Sequence, residues 1–315
     1  MPLAPAIAAL LNGHELPVVL NRDACGRGLA ELPALLDDVR ALGARVSVES
    51  VEAGGLAPAL RRRVQDGAAI LVVGGGDGSV STAADELAGS TTVLVPLPLG
   101  TRNHFAQRYG LVSPAALPLA LSAGAVVSLP LGVANGRHFL NNAACGFYPQ
   151  MVRHRQRMQP WSGQGLATVL AALTALLERP LLDLELDVGG ETLERRSAAL
   201  WVGIGRHSLR LPEPGDTDKD GAVLEIVLPK PVSRGGLLRL GGRLWWRLRG
   251  RGKPVDPELE TMRARAFTLR TRGTLSIALD GELSECVGPL HFQYREDAVR
   301  VLCLVAPEPS AQGAS

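Results

Sequence analysis

The sequence predicts an α/β protein whose first part is a doubly wound, parallel-stranded domain and whose second part is antiparallel β. Up to about residue 125, short apolar runs alternate with segments of helical periodicity, the pattern of a parallel sheet covered by helices. Beyond that point short strand-like runs follow one another with glycine-bearing turn pairs between them. At 315 residues the chain is also long for a single core, so two domains are expected, divided between residues 126 and 127.

Residues 16–21 (LPVVLN) predict the first strand. Residues 29–43 predict a helix with Leu32, Leu35, Leu36 and Val39 on one face, ended by Gly43. RVSVESV (45–51) alternates as a half-buried strand does. A helix follows with Leu56, Leu60 and Val64 inward and Arg61, Arg62 and Arg63 on a solvated face. A buried strand is expected over 68–73, a helix over 80–88, a strand over 91–95, a proline-punctuated turn, and a helix from about 103. In the second part, Asn135-Gly136 and Gly189-Gly190 predict hairpin turns, the latter after the strict alternation of LDLELDV. AVLEIVLP, AFTLRT, LSIALDGEL, LHFQYR and VRVLCLVA read as further short strands. Residues 163–179 predict one helix, with Leu166, Val169, Leu170, Leu173 and Leu177 inward and Pro180 closing it. The tail after Pro307 is expected to be disordered.

Composition narrows the function. With 46% hydrophobic and 20% charged residues the chain is that of a soluble globular protein. Its net charge of +2 and lack of a recognition motif argue against a nucleic-acid partner. Cys25, Cys145, Cys286 and Cys303 form no CxxC pair, which suits a reducing compartment and neither zinc nor disulfides. MPLAPAIAALLNG lacks the basic start of a secretion signal, and no run reaches the ~18 apolar residues of a membrane span. A cytoplasmic location is expected.

AAILVVGGGDGSV (68–80) carries the first chemistry. A strand running through Gly74, Gly75 and Gly76 into a helix start is how α/β proteins cradle phosphates. Glycines there can adopt positive φ and admit a ligand close to the backbone. Asp77, acidic inside such a cradle, would be repelled by phosphate unless it works through Mg²⁺ or orients a hydroxyl. PLPLGTRNHFA (96–106) is a second loop of the same kind. Gly100, Thr101 and Asn103 stand there at a strand end and helix start, either as an ordinary N-cap or as the other jaw of a nucleotide site.

GGGDGSV followed by PLGTRNHFA resembles the catalytic domain of the diacylglycerol kinase family, which includes bacterial lipid kinases and the sphingosine and ceramide kinases. LNNAACGFYPQMV (140–152), DKDGAVLEIV (218–227) and ALDGEL (278–283) extend the resemblance over nearly the whole chain. It implies a β-sandwich lipid domain over 127–295 and a return of 296–308 to the nucleotide domain, 1–126. It implies ATP as donor, Mg²⁺, and a hydroxyl of diacylglycerol or a related lipid as acceptor. Asn21, Gly75, Gly76, Asp77, Gly78, Ser79, Gly100, Thr101 and Asn103 would serve the nucleotide, Asp77 also catalysis. Glu282 would accept the hydroxyl proton, with Asp280 beside it on the same strand face, unless the segment is simply an acidic β-turn. Asp220, with the carbonyls of Thr217 and Ala222, would hold a structural Mg²⁺, unless Asp220-Gly221 is simply a hairpin turn. The chain departs from the family at Val80-Ser81-Thr82, at His104 and at Arg22. Two alternatives stay open: a kinase of a soluble substrate, as NAD kinases are, and a nucleotide- or lipid-binding regulator that has lost catalysis. Oligomeric state is open too, a homodimer included.

Between Glu225 and Asp256 the chain has no acidic residue but eight basic ones, Lys230, Arg234, Arg239, Arg243, Arg247, Arg249, Arg251 and Lys253. Within 234–253 Leu237, Leu240, Leu244 and Leu248 stand at helical spacing beside Trp245 and Trp246, which suits an anionic bilayer surface. A leucine-docked helix with a solvated basic face is the alternative. Replacing Arg239, Arg243 and Arg247 by glutamine is expected to weaken co-sedimentation with anionic vesicles, each charge contributing about 1 kcal/mol. Unchanged sedimentation would assign the segment to packing.

Overall fold

The computed structural model describes residues 2–25, 27–101, 103–147, 149, 181–204, 223–230 and 259–304. The expected helix at 163–179, the trio Thr217, Asp220 and Ala222, the basic segment 234–253 and the tail lie outside them. The described residues fall into two compact units, one running to Leu131 and resuming at Arg295, the other lying between Gly132 and Tyr294.

The first unit contains helices α1 (Pro5–Leu11), α2 (Leu32–Ala41), α3 (Leu56–Gln65), α4 (Asp77–Leu87), α5 (His104–Arg108) and α6 (Leu117–Ala123). Its strands are β1 (Leu16–Asn21), β2 (Val46–Val51), β3 (Ile70–Gly75) and β4 (Val93–Pro98), all parallel in the order β2-β1-β3-β4. Strands β1, β3 and β4 are buried along their whole length, which is why they read as unbroken apolar runs. β2 is the edge strand and only partly buried, hence its alternation. The α2 residues Leu32, Leu35, Leu36 and Val39 are buried as the spacing predicts. The arginines of α3 are not simply solvated. Arg61 pairs with Glu86, and Arg62 and Arg63 both reach Glu49 on β2, whose carboxyl is held below its usual range chiefly by the Arg62 hydrogen bond.

Two boundaries differ from expectation. β3 runs on through Gly74 and Gly75, and α4 starts at Asp77, so the glycine segment is shorter as a loop than the sequence suggests. β4 continues through Pro96 and Pro98 instead of turning after residue 95. The amides of Val93 and Leu99 donate toward the β3 side, to Ala69 and Gly75. Even-numbered positions therefore face the other way. There, among the described residues, β16 pairs only with Val93 and Leu94, so prolines at 96 and 98 forfeit no ladder bond.

The remaining strands are β5 (Ala125–Ala134), β6 (Arg137–Phe139), β7 (Asn142–Gly146), β8 (Leu182–Val188), β9 (Glu191–Ser197), β10 (Ala199–Ile204), β11 (Leu224–Pro229) and β12 (Leu259–Ala264). After them come β13 (Ala266–Thr271), β14 (Thr274–Leu279), β15 (Glu282–Val287) and β16 (Leu290–Cys303). β16 serves both units: its start pairs antiparallel with β13, and Arg300 and Val301 pair parallel with β4. In the second unit all pairings are antiparallel, with the six strands β12-β11-β10-β7-β14-β15 forming one sheet and β16-β13-β8-β9 the other run. Both expected hairpins form. Asn135-Gly136 and Gly189-Gly190 have φ of 46° and 84°, and 62° and 88°, the all-positive pair of a tight hairpin turn. The core gathers Leu184, Leu186, Leu200, Val202, Ile226, Leu228 and Ile277, with the paired Phe267 and Phe292 rings stacked at 4.7 Å. Cys145 and Cys303 are buried and their thiols pushed up to about 12, which leaves them unreactive.

Candidate active site

In the first unit the site is built at the carboxyl ends of β1, β3 and β4, where open α/β sheets bind ligands. The carbonyl of Gly75 accepts two amides from the other loop, Leu99 N and Gly100 N, each at 3.0 Å. The two loops are thereby one piece. A Cβ on Gly100 would lie 2.4 Å from Gly76 Cα, and one on Gly75 would lie 2.3 Å from Ser79 Oγ. None of Gly74, Gly75 and Gly76 has positive φ. Leu20 and Leu99 leave no room for a side chain at Gly74, Ser79 leaves none at Gly75 and the Gly76 backbone leaves none at Gly100, whereas a Cβ on Gly76 would make ordinary contact; no left-handed backbone is involved.

Side chains complete the junction. Asp77, the first residue of α4, accepts the Phe105 amide on Oδ1 at 3.0 Å, so it holds the start of α5 across the two loops. Asn103 sits in the left-handed region (φ 52°) and folds back on Gly100, accepting its amide at 3.0 Å and donating to its carbonyl at 2.7 Å. Asn21, at the end of β1, donates from Nδ2 to Ser79 Oγ at 2.9 Å, both side chains being buried. Its Oδ1 is buried without a partner. The first turn of α4 receives no side-chain cap, leaving its leading amides for an incoming anion. The structure thus brings together Asn21, Gly75, Gly76, Asp77, Ser79, Gly100 and Asn103. Gly78 has open space around it, and Thr101 and His104 are exposed.

In the second unit Asp280 and Glu282 are not neighbours on one strand face. Asp280 (φ 49°) and Gly281 (φ 92°) form the tight turn between β14 and β15, and Leu279 and Glu282 are its closing pair. The Asp280 carboxylate accepts three backbone amides: Leu140 at 2.7 Å on Oδ2, and Asn141 at 2.8 Å and Asn142 at 3.1 Å on Oδ1. It is an anchor for that segment and not the second member of a carboxylate pair. Glu282 is half-exposed, 3.6 Å from Arg137. Arg137 and the three amides were not singled out by the sequence, because a motif of side-chain types does not display main-chain donors. Among the described residues no three His, Cys, Asp or Glu side chains gather as a metal site.

The model of the diacylglycerol kinase catalytic domain matches residues 15–134. A "Probable lipid kinase YegS-like" of Pseudomonas aeruginosa UCBPP-PA14 is 30% identical over 271 residues, covering 83% of this chain and 84% of that protein. The chain belongs to this lipid kinase family. Its counterpart of the same description in Pseudomonas fluorescens Pf-5 is 29% identical over 276 residues, 86% of this chain and 90% of that one. In fold, the chain is similar to a diacylglycerol kinase from Bacillus anthracis Sterne, with a TM-score of 0.62 at 16% identity over 92% of this chain and 96% of that one. Membership makes the protein a kinase, with ATP the donor its family implies. No helix among the described residues is long and apolar enough to cross a membrane.

Gly100→Ala is expected to force the loops apart, lowering stability by about 1–3 kcal/mol and turnover by about 10²-fold. Gly78→Ala, a helical position with nothing within 4 Å of the new methyl, is expected to melt at or slightly above the parent temperature. Thermal melts of the two variants, with ATP turnover for the first, check this. Equal melting temperatures would show that the loop contact is slack.

Proposed function

We propose that this kinase transfers the γ-phosphoryl group of ATP, with Mg²⁺, to a hydroxyl of diacylglycerol or a closely related lipid. The observation that carries the reading is the preformed loop pair at Gly75, Gly76 and Gly100, with uncapped amides at the start of α4. Phosphoryl transfer has a loose transition state and depends on positioning and charge neutralisation more than on covalent help. A rigid cradle of main-chain donors supplies the positioning. Mg²⁺ in such reactions is held by one or two carboxylates together with the phosphates themselves. Asp77 fits that role, since Phe105 is hydrogen-bonded to one of its two oxygens. When bound, the ion neutralises charge on the phosphate oxygens.

Glu282 takes the proton of the lipid hydroxyl, with Arg137 steering its carboxylate. Access to a lipid acceptor is given to the basic, tryptophan-bearing segment 234–253.

Purified protein with radiolabelled ATP and Mg²⁺ is expected to label diacylglycerol in mixed vesicles and not NAD in a parallel reaction. Glu282→Gln is expected to lower lipid turnover by roughly 10²-fold while leaving the ATP dissociation constant unchanged. Label on NAD alone would overturn the lipid assignment. Normal turnover in the variant would remove Glu282 from the reaction.

A further inference from the structure

The segment 137–142 touches both acidic residues of the DGE turn. Arg137 reaches Glu282, and the amides of Leu140, Asn141 and Asn142 converge on Asp280. The contact is reciprocal, since Asp280 N donates to Asn142 O at 2.9 Å. Strand pairing continues it, with Leu279 opposite Ala143 on one side and Glu282 on the other. The segment is also held in an arrangement it would not choose alone, for Asn141 Oδ1 is buried without a hydrogen-bond partner. A carboxylate that accepts three amides from one short stretch is committed to that stretch.

We propose that Asp280 is a positioning residue of the phosphoryl transfer: its carboxylate fixes the turn against 140–142 and so sets where Glu282 stands. Glu282 begins the strand that leaves this turn, two residues on. Its backbone position is therefore determined by the same few bonds. Arg137, three residues before the first amide donor, then sets the direction of the Glu282 side chain. The proposal rests on Glu282 as the proton acceptor, and it gives Asp280 no share in the proton.

The test uses variants that spare the turn. The backbone of Asp280 is left-handed (φ 49°), a conformation glycine adopts freely, so Asp280→Gly removes the anchor without straining the hairpin. Asp280→Asn keeps one acceptor oxygen and tolerates the same φ; it carries the comparison if the glycine variant does not fold. Asp280→Gly is expected to lower kcat for lipid phosphorylation by roughly 10- to 100-fold, with Asp280→Asn recovering part of it. ATP affinity is expected to stay within about twofold, and the pH–rate profile to keep its shape. In a Glu282→Gln background, Asp280→Gly is expected to cost no more than about twofold further, because the group it positions is already gone.

Full multiplicative loss in the double variant would overturn the proposal by giving Asp280 an independent part in the chemistry. So would a glycine variant with parent turnover, or one whose pH profile loses an ionisation. If Glu282→Gln alone keeps normal turnover, the proton-acceptor assignment fails and the positioning role with it. That outcome is read from the single variant and is distinct from positioning failing by itself.

Discussion

Gly75 O accepts two amide protons, from Leu99 and Gly100, and with them the loop after β4 closes on the loop after β3. The bonds form only because Gly100 carries no side chain. A single methyl on Gly100 would overlap the Gly76 backbone, which has nowhere to go. Once the loops are joined, the other contacts follow from sequence position. Asp77 lies at the start of α4 and comes within hydrogen-bond reach of Phe105 at the start of α5. Ser79, two residues farther along, meets Asn21 at the end of β1. Three strand ends are thus tied together, and the leading amides of α4 are left without a side-chain cap.

The second unit solves a similar problem with a charge in place of a glycine contact. Among the described residues, three tight hairpins, β5–β6, β8–β9 and β14–β15, connect its strands, and antiparallel pairing fixes register strand by strand. Where β7 begins beside the β14–β15 turn, three main-chain amides would otherwise lack partners. The Asp280 carboxylate satisfies all three. Leaving one such buried donor unsatisfied costs about 1–3 kcal/mol. The acidic turn is therefore structural at its first position and open to chemistry at its third, where Glu282 is half-exposed.

The buried parallel strands and the leucine face of α2 were legible because burial on both sides of a sheet, or on one side of a helix, writes itself into hydrophobic periodicity. Hairpins at Asn135-Gly136 and Gly189-Gly190 were legible because positive φ selects those residues. The same rule applies at Asp280-Gly281, where the residues alone read as an acidic β-turn and the resemblance favours a pair of carboxylates on one strand face; the turn is what forms. The extent of β4 was hidden by Pro96 and Pro98, which read as breakers unless one knows that their missing donors face a side without ladder bonds. Gly74 and Gly75 read as a loop needing positive φ, whereas the side chains of Leu20, Leu99 and Ser79 are what exclude a Cβ there. Steric contact between two loops more than twenty residues apart leaves no mark on either loop alone.

The bonds to Gly75 and the Asp77–Phe105 bond join the two glycine loops into one unit. Residue-resolved amide hydrogen exchange on the nucleotide-free protein tests it directly. The Leu99, Gly100 and Phe105 amides are expected to exchange as slowly as those in the middle of β3 and β4, because each donates to a partner across the junction. Exchange of these three amides at the rate of exposed loops, slowing only when ATP is added, would mean that the nucleotide makes the cradle, and would contradict it.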